Sequence, residues 1–283
     1  MIVRHEVPIS TLTTFKNQGT VGTLTLLESP DDLAAFFPCK TPFFVLGKGS
    51  NTLINPEGPI QSFVQLSHRF IAPSVEGHRL TVSAGTTVNM LMNLAVQHGL
   101  SGLEFSAGVP ASVGGMVAMN FGCWSSEVAD VLLRAWVLDP NTGKTEWLSK
   151  TQLAFGYRKS IMSTSDRIVL AAEFDLSPDS PKAIEGRILA NIHTRLSKQP
   201  LRAKTFGSCF KNPDGHFAGA LIEAANLKNF RIGDAAVSEK HANFMVNLGN
   251  SNFSDIESLI RTLQARVLSH ANIQLEPEVK LVT

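Results

Sequence analysis

Residues 101–122, SGLEFSAGVPASVGGMVAMNFG, constrain the fold more than any other stretch, because five glycines and a proline stand among apolar residues with neither helical nor strand periodicity. Glycine lacks the Cβ that blocks close approach and it reaches positive φ. Gly108, Gly114, Gly115 and Gly122 therefore let a loop aim several N–H groups at one anion, with Asn120 as a further donor. Phosphate is the anion such a loop suits. A tight turn between buried elements is the alternative reading.

A second glycine turn lies upstream. Residues 42–46, PFFVL, read as a short apolar strand running directly into Gly47, Lys48, Gly49, Ser50 and Asn51. Neither nucleotide fingerprint fits: GxGxxG needs glycine where Thr52 stands, and a P-loop needs GK[ST] after four intervening residues. Pro56 and Gly58 also break any helix that would follow. What remains is a turn with donor side chains that holds a phosphate without a helix dipole, although Lys48 also reads as a solvated surface lysine.

Around these turns the chain alternates strands and helices. Residues 23–28 and 79–84 read as strands, 87–98 as an amphipathic helix stopped by Gly99, and 131–138 with 144–148 as a hairpin around DPNTG. Residues 167–176 form a long strand, and a helix over 181–196 ends at Lys198, Gln199 and Pro200, which mark a linker. Helices are expected at 218–225 and from Ser254, with Ser254 and Glu257 as a capping box and Ile256, Leu259, Ile260, Leu263 and Val267 buried.

At roughly 150 residues per domain, 283 residues make about two domains. With 25 basic and 24 acidic side chains there is no broad electrostatic footprint for nucleic acid or an anionic membrane. No run approaches the roughly 18 apolar residues of a membrane span, and MIVRHEVPIS lacks the apolar segment of a secretory signal. A cytoplasmic location is expected, with no nucleic acid, membrane or obligate protein partner. Cys39, Cys123 and Cys209 are odd in number and far apart, and the eight histidines include no HExxH, so no disulfide framework and no protein-bound metal are expected.

Three further blocks carry chemistry-bearing side chains. FGYRKS, residues 155–160, puts an aromatic, two cations and a hydroxyl beside a glycine, which otherwise reads as a polar loop. GSCFKNP, residues 207–213, gathers a serine, a lysine and an asparagine. In the terminal QLEPEVKLV, Glu276 and Glu278 flank Pro277, on one face if the chain is extended or on an exposed edge.

In this order, LGKGSN, SGLEFSAGVPASVGG with MNFG, FGYRKS, GSCFKNP and LEPEV resemble the UDP-N-acetylenolpyruvoylglucosamine reductase (UDP-N-acetylmuramate dehydrogenase) family, of the vanillyl-alcohol-oxidase-type FAD-binding flavoproteins. AGALIEAANLKNFRIG and VSEKHANFMVN extend the likeness into the last third. The resemblance implies an α+β fold: a two-lobed FAD-binding domain, with lobes at 1–66 and 67–198, and a smaller α+β substrate-binding domain at 199–283. It implies bound FAD, NADPH as co-substrate and UDP-N-acetylglucosamine enolpyruvate as the small-molecule substrate, reduced to UDP-N-acetylmuramate for peptidoglycan precursor synthesis.

Carried over by motif, Arg158 stabilises the charge that develops when hydride reaches C3 of the vinyl ether, Ser208 gives the proton to C2, and Glu278 assists as a neutral carboxyl of raised pKa. Cofactor contacts are implied at Gly47, Lys48, Gly49, Ser50, Asn51, Gly108, Val109, Pro110, Ser112, Val113, Gly114, Gly115, Asn120 and Gly122, with Val109 and Val113 lining the flavin ring. Lys198, Lys211 and Asn212 are implied to hold the substrate's diphosphate and sugar.

The family motif of Thr-Phe, one residue, Ile or Val, and two glycines is here Thr14, Phe15, Lys16, Asn17, Gln18 and Gly19, and the chain also departs from the family pattern at Ala111 and at Asp234, where glycine is usual. The short spacing from Arg158 to Ser208 resembles type II members and leaves no room for the tyrosine-bearing lid of type I. Two other functions compete: an FAD-dependent alcohol oxidase or dehydrogenase of the same superfamily, which should lack GSCFKNP and LEPEV, and a non-catalytic nucleotide-binding module, which leaves Arg158, Ser208 and Glu278 unexplained.

Overall fold

The apolar run after Arg167 becomes a central strand because both of its faces must be covered: every residue of Ile168–Asp175 except the last is buried. In the computed structural model, which describes residues 1–39 and 41–283, this strand lies third in an antiparallel sheet. The order is Thr145–Ser149, Leu132–Leu138, Ile168–Asp175, Arg79–Ser83 and Ser74–Glu76. A register shift opposite Trp136 and Val137 leaves Leu170 outside the ladder and turns the strand over. Ala172 and Phe174 consequently pack with helices Val88–Gln97 and Val113–Ala118, while Ile168 and Leu170 join Leu27, Leu33, Phe37 and Val64 in a second core. The parallel pair Phe43–Val45 and Ser62–Leu66 supplies part of that second core and delivers the chain to the Gly47 turn.

These elements belong to one of two compact units, made of Met1–Arg4, Leu24–Lys48 and Ser62–Thr194. The other comprises His5–Thr23, Gly49–Gln61 and Arg195–Thr283, so the first 66 residues contribute to both. Its antiparallel sheet runs Lys204–Ser208, Phe244–Asn247, Ala235–Val237, Arg231–Ile232. Helix Phe253–Ala271 packs on it through Ile256, Leu259, Ile260, Leu263 and Val267, the residues expected from its periodicity. The cap differs from expectation. Asn252, not Ser254, caps this helix: Asn252 Oδ1 accepts from Asp255 N at 2.8 Å and Asp255 Oδ2 from Asn252 N at 3.1 Å. The buried Phe253 has to lie inside the helix, which moves the cap back, and Glu257 pairs with Arg261 one turn on. Strand Lys280–Val282 closes the unit by pairing in parallel with Thr52–Ile54. Among the described residues no helix is long and apolar enough to cross a membrane.

One ion-pair knot secures the segment entering the glycine-rich stretch. Glu104, almost fully buried, accepts from Gly102 N at 2.7 Å, Ser101 Oγ at 3.0 Å, and Arg187 Nε and Nη2 at 3.0 and 2.9 Å, while its carbonyl accepts from Asn191. Helix Pro181–Lys198 is thereby tied down next to residue 104. Burial pushes the Glu104 carboxyl up, but the amides of Glu104 and Gly102, then Arg187 and Ser101, outweigh it and hold it below the ordinary carboxylate range. A carboxyl lowered in the folded state stabilises fully above its unfolded value, and that stability is lost as pH falls through the folded value. Glu104→Ala should cost about 3 kcal/mol, the low end for breaking a buried pair because Arg187 is half exposed. In urea melts the wild type should lose stability more steeply than Glu104→Gln as pH falls below about 5; parallel curves would remove the carboxylate from this account.

Candidate active site

Regular structure begins inside the glycine-rich stretch, where periodicity indicates none. Ser112 caps helix Val113–Ala118, its Oγ accepting from Gly115 N at 3.4 Å, and Gly114 and Gly115 fall in the first turn. Of the four glycines only Gly108 has positive φ, at +80°. Gly114 and Gly122 answer to close approach, since a Cβ on Gly114 would stand 2.9 Å from Ala84 Cβ and one on Gly122 2.8 Å from Glu127 Cβ, whereas a Cβ on Gly115 would meet only Ser112 Oγ at 3.5 Å. The N–H groups of Val113 and Gly114 donate to Thr86 O at 2.9 Å and Ala84 O at 2.8 Å, so these two tie the helix to the sheet and do not point at an anion. Val113 itself is a core residue with no exposed surface, whereas Val109 is half-buried and Pro110 exposed.

The two glycine turns meet. A Cβ on Gly47 would lie 2.5 Å from Ser112 Oγ. Among the described residues no protein acceptor takes the backbone N–H groups of Gly47, Lys48, Gly49 or Ser50. Gly49 has φ +60°, and a Cβ there would come within 2.1 Å of Leu12 O, so only glycine suits this corner. Successive backbone N–H groups without a protein acceptor, on a turn with a left-handed glycine, are the kind of donor that diphosphate oxygens take. The residues present therefore fit the FAD diphosphate.

Arg158 sits on a tight turn closed by Gly156 N to Lys159 O at 3.0 Å and Lys159 N to Gly156 O at 3.1 Å. Its backbone is left-handed, φ +53°, and its guanidinium lies 5.6 Å from the ring centre of Phe121 and 5.3 Å from that of Tyr157. Asn120 and Ser160, both fully buried, fasten this turn to residues 118–121. Asn120 Nδ2 donates to Gly156 O at 3.1 Å, its Oδ1 accepts from Ala129 N at 3.0 Å, and Ser160 Oγ donates to Ala118 O at 2.7 Å.

In the other unit Ser208 and Glu278 are brought together. Strand Lys204–Ser208 carries a bulge between Thr205 and Ser208, built on Gly207 at φ +82°, which re-aims Ser208. The chain from Cys209 then pairs with the return segment: Glu278 N donates to Cys209 O at 2.8 Å and Lys211 N to Glu276 O at 2.9 Å. Asn51 Nδ2 donates to Glu278 O at 3.0 Å, so the residue expected at the cofactor also places the Glu278 backbone. Asn243, which no sequence motif singles out, clamps the serine segment: its Oδ1 accepts from Phe210 N at 3.0 Å and its Nδ2 donates to Phe210 O at 2.8 Å. Burial pushes the Cys209 thiol well above its ordinary value, as suits a packing residue.

Of the expected substrate contacts, Lys211 Nζ is paired with the Glu276 carboxylate, and Asn212 Oδ1 accepts from Ala218 N at 3.0 Å at the head of helix Ala218–Ala224. Lys198 is exposed at the last residue of its helix. The altered amino-terminal motif keeps its position by other bonds: Thr14 N donates to Gly49 O at 3.1 Å, and Asn247 Nδ2 to Phe15 O and Lys16 O at 3.0 Å.

The family model for an FAD binding domain matches residues 26–149, and that for the UDP-N-acetylenolpyruvoylglucosamine reductase C-terminal domain matches residues 199–282. A UDP-N-acetylenolpyruvoylglucosamine reductase of Streptococcus pneumoniae (strain CGSP14) is 41% identical over 241 residues, covering 85% of this chain and 79% of its own. The reductase of strain Hungary19A-6 matches at the same identity and coverage. The crystal structure of UDP-N-acetylenolpyruvylglucosamine reductase from Thermus caldophilus matches with a TM-score of 0.86 and 34% identity, covering 100% of both chains. Both the amino-terminal FAD-binding region and the carboxyl-terminal domain that distinguishes these enzymes are thus present, and the chain belongs to the UDP-N-acetylenolpyruvoylglucosamine reductase family.

Proposed function

We propose that this chain reduces the enolpyruvyl ether of UDP-N-acetylglucosamine enolpyruvate to UDP-N-acetylmuramate in the cytoplasm, with NADPH as electron donor. One observation carries the reading: a bulged strand presents Ser208 beside a return segment bearing Glu278, within the stretch matched by the reductase C-terminal model. FAD, when bound, would supply the hydride chemistry at C3 of the vinyl group, with NADPH as the source of electrons. The amides of residues 47–50, which lack a protein acceptor among the described residues, would hold the FAD diphosphate, with Ser112 beside Gly47.

Hydride addition at C3 leaves an electron pair at C2, delocalised into the adjacent carboxylate. Arg158 offers that carboxylate a planar, permanently charged fork. Ser208 Oγ gives its proton to C2, completing addition of H₂ across the double bond. A carboxylate anion next to the electron-rich carbon would repel it, so Glu278 assists as the neutral acid. Lys198, Lys211 and Asn212 take the diphosphate and sugar, with the Lys211 ammonium exchanging its Glu276 partner for phosphate oxygens. In this reading residues 1–66 and 67–198 are the flavin lobes and 199–283 the substrate-binding domain.

An anaerobic two-step titration tests the whole. Purified protein should be yellow, NADPH should bleach it, and the enolpyruvyl substrate should restore the colour without oxygen. Restoration by oxygen alone would favour an oxidase, and colourless protein that ignores added FAD would end the flavoprotein reading.

A further inference from the structure

Arg158 occupies a backbone region that costs a non-glycine residue about 1 kcal/mol, so something must hold it there. Three contacts from one short stretch do so: Ala118 O receives Ser160 Oγ, Asn120 Nδ2 reaches Gly156 O, and the Phe121 ring lies under the guanidinium. Asn120 is itself left-handed at φ +44° and anchored from behind by Ala129 N; with its amide spent on protein backbone and no exposed surface, it does not make the cofactor contact that the family resemblance implies. Asparagine tolerates that conformation better than most residues, and here its amide bridges two chain segments. The stretch that follows helix Val113–Ala118 is therefore the mount of the arginine turn.

We propose that Asn120, seconded by Ser160, is a positioning residue for Arg158: it fixes the 156–159 turn so that the guanidinium meets the substrate carboxylate. This rests on the carboxylate-clamping role given to Arg158 above. Asn120 acts on the half-reaction that uses the clamp and is silent in the one that does not.

The test uses the FAD-loaded enzyme in separate stopped-flow half-reactions. Asn120→Asp keeps the acceptor for Ala129 N and replaces the donor facing Gly156 O with a repelling oxygen. FAD content and bleaching by NADPH should stay within about 2-fold of wild type, while reoxidation by the enolpyruvyl substrate slows by about 10- to 100-fold, the scale of an ångström-level misplacement. Placed on an Arg158→Ala background, Asn120→Asp should slow reoxidation no further, because a residue acting only through Arg158 has nothing left to act on. Backbone amide exchange at Lys159 should also rise, since its bond to Gly156 O loosens with the turn.

Ser160→Ala, which removes the second tether, should repeat the pattern and serves if Asn120→Asp does not fold. Lost FAD, equal slowing of both half-reactions, or multiplicative losses in the double variant would each overturn the inference. Wild-type protein that the enolpyruvyl substrate cannot reoxidise would instead overturn the proposed function, and this inference with it.

Discussion

Ser208→Ala should leave NADPH bleaching of the flavin intact while reoxidation by the enolpyruvyl substrate falls by about 10²- to 10³-fold, the scale of removing one group that acts only in the transition state. The substitution isolates chemistry from folding. Among the described residues the Ser208 hydroxyl has no hydrogen-bond partner, so its removal should change stability by less than about 0.5 kcal/mol. The bulge at Gly207 and the Asn243 clamp remain, because both act through backbone. Stopped-flow traces of the two half-reactions, with a urea melt as control, check this result. Equal loss in both half-reactions, or reoxidation at the wild-type rate, would remove Ser208 as the proton donor.

Arg158→Gly is the second large effect, and it should split activity from stability in opposite directions. Glycine relieves the left-handed backbone at φ +53°, so stability should hold or rise by up to about 1 kcal/mol. Substrate-driven reoxidation should fall by about 10² or more, since the guanidinium is gone. Arg158→Lys should recover little, because an ammonium lacks the two-pronged geometry that grips a carboxylate. Reoxidation of the lysine variant within a few-fold of wild type would reduce Arg158 to a general positive charge. A fall in stability for the glycine variant would show the cation–π contacts with Phe121 and Tyr157 outweighing the backbone relief.

Elements whose information is local are legible in the sequence. The helix Val88–Gln97 carries its own cap, Thr87 Oγ1 accepting from Met90 N at 3.3 Å, and its own stop, Gly99 at φ +61°. The hairpin of Leu132–Leu138 with Thr145–Ser149 follows from DPNTG between two apolar runs. Helix Val113–Ala118 is not legible: two adjacent glycines disfavour a helix, and Ser112 together with the carbonyls of Thr86 and Ala84 outweighs that preference. The Ser254 cap fails for a related reason, since burial of Phe253 decides where the helix has to begin.

The same division holds in the site. In the sequence the two glycine turns stand out by composition, whereas Arg158, Ser208 and Glu278 are singled out only by the family resemblance of FGYRKS, GSCFKNP and LEPEV. Neither signal reveals that Asn120 answers to Gly156, Ser160 to Ala118 and Asn243 to Phe210, partners 36, 42 and 33 positions away. A buried polar group must find a partner, and which one it finds is decided by which backbone packing carries past it, a matter on which local periodicity is silent.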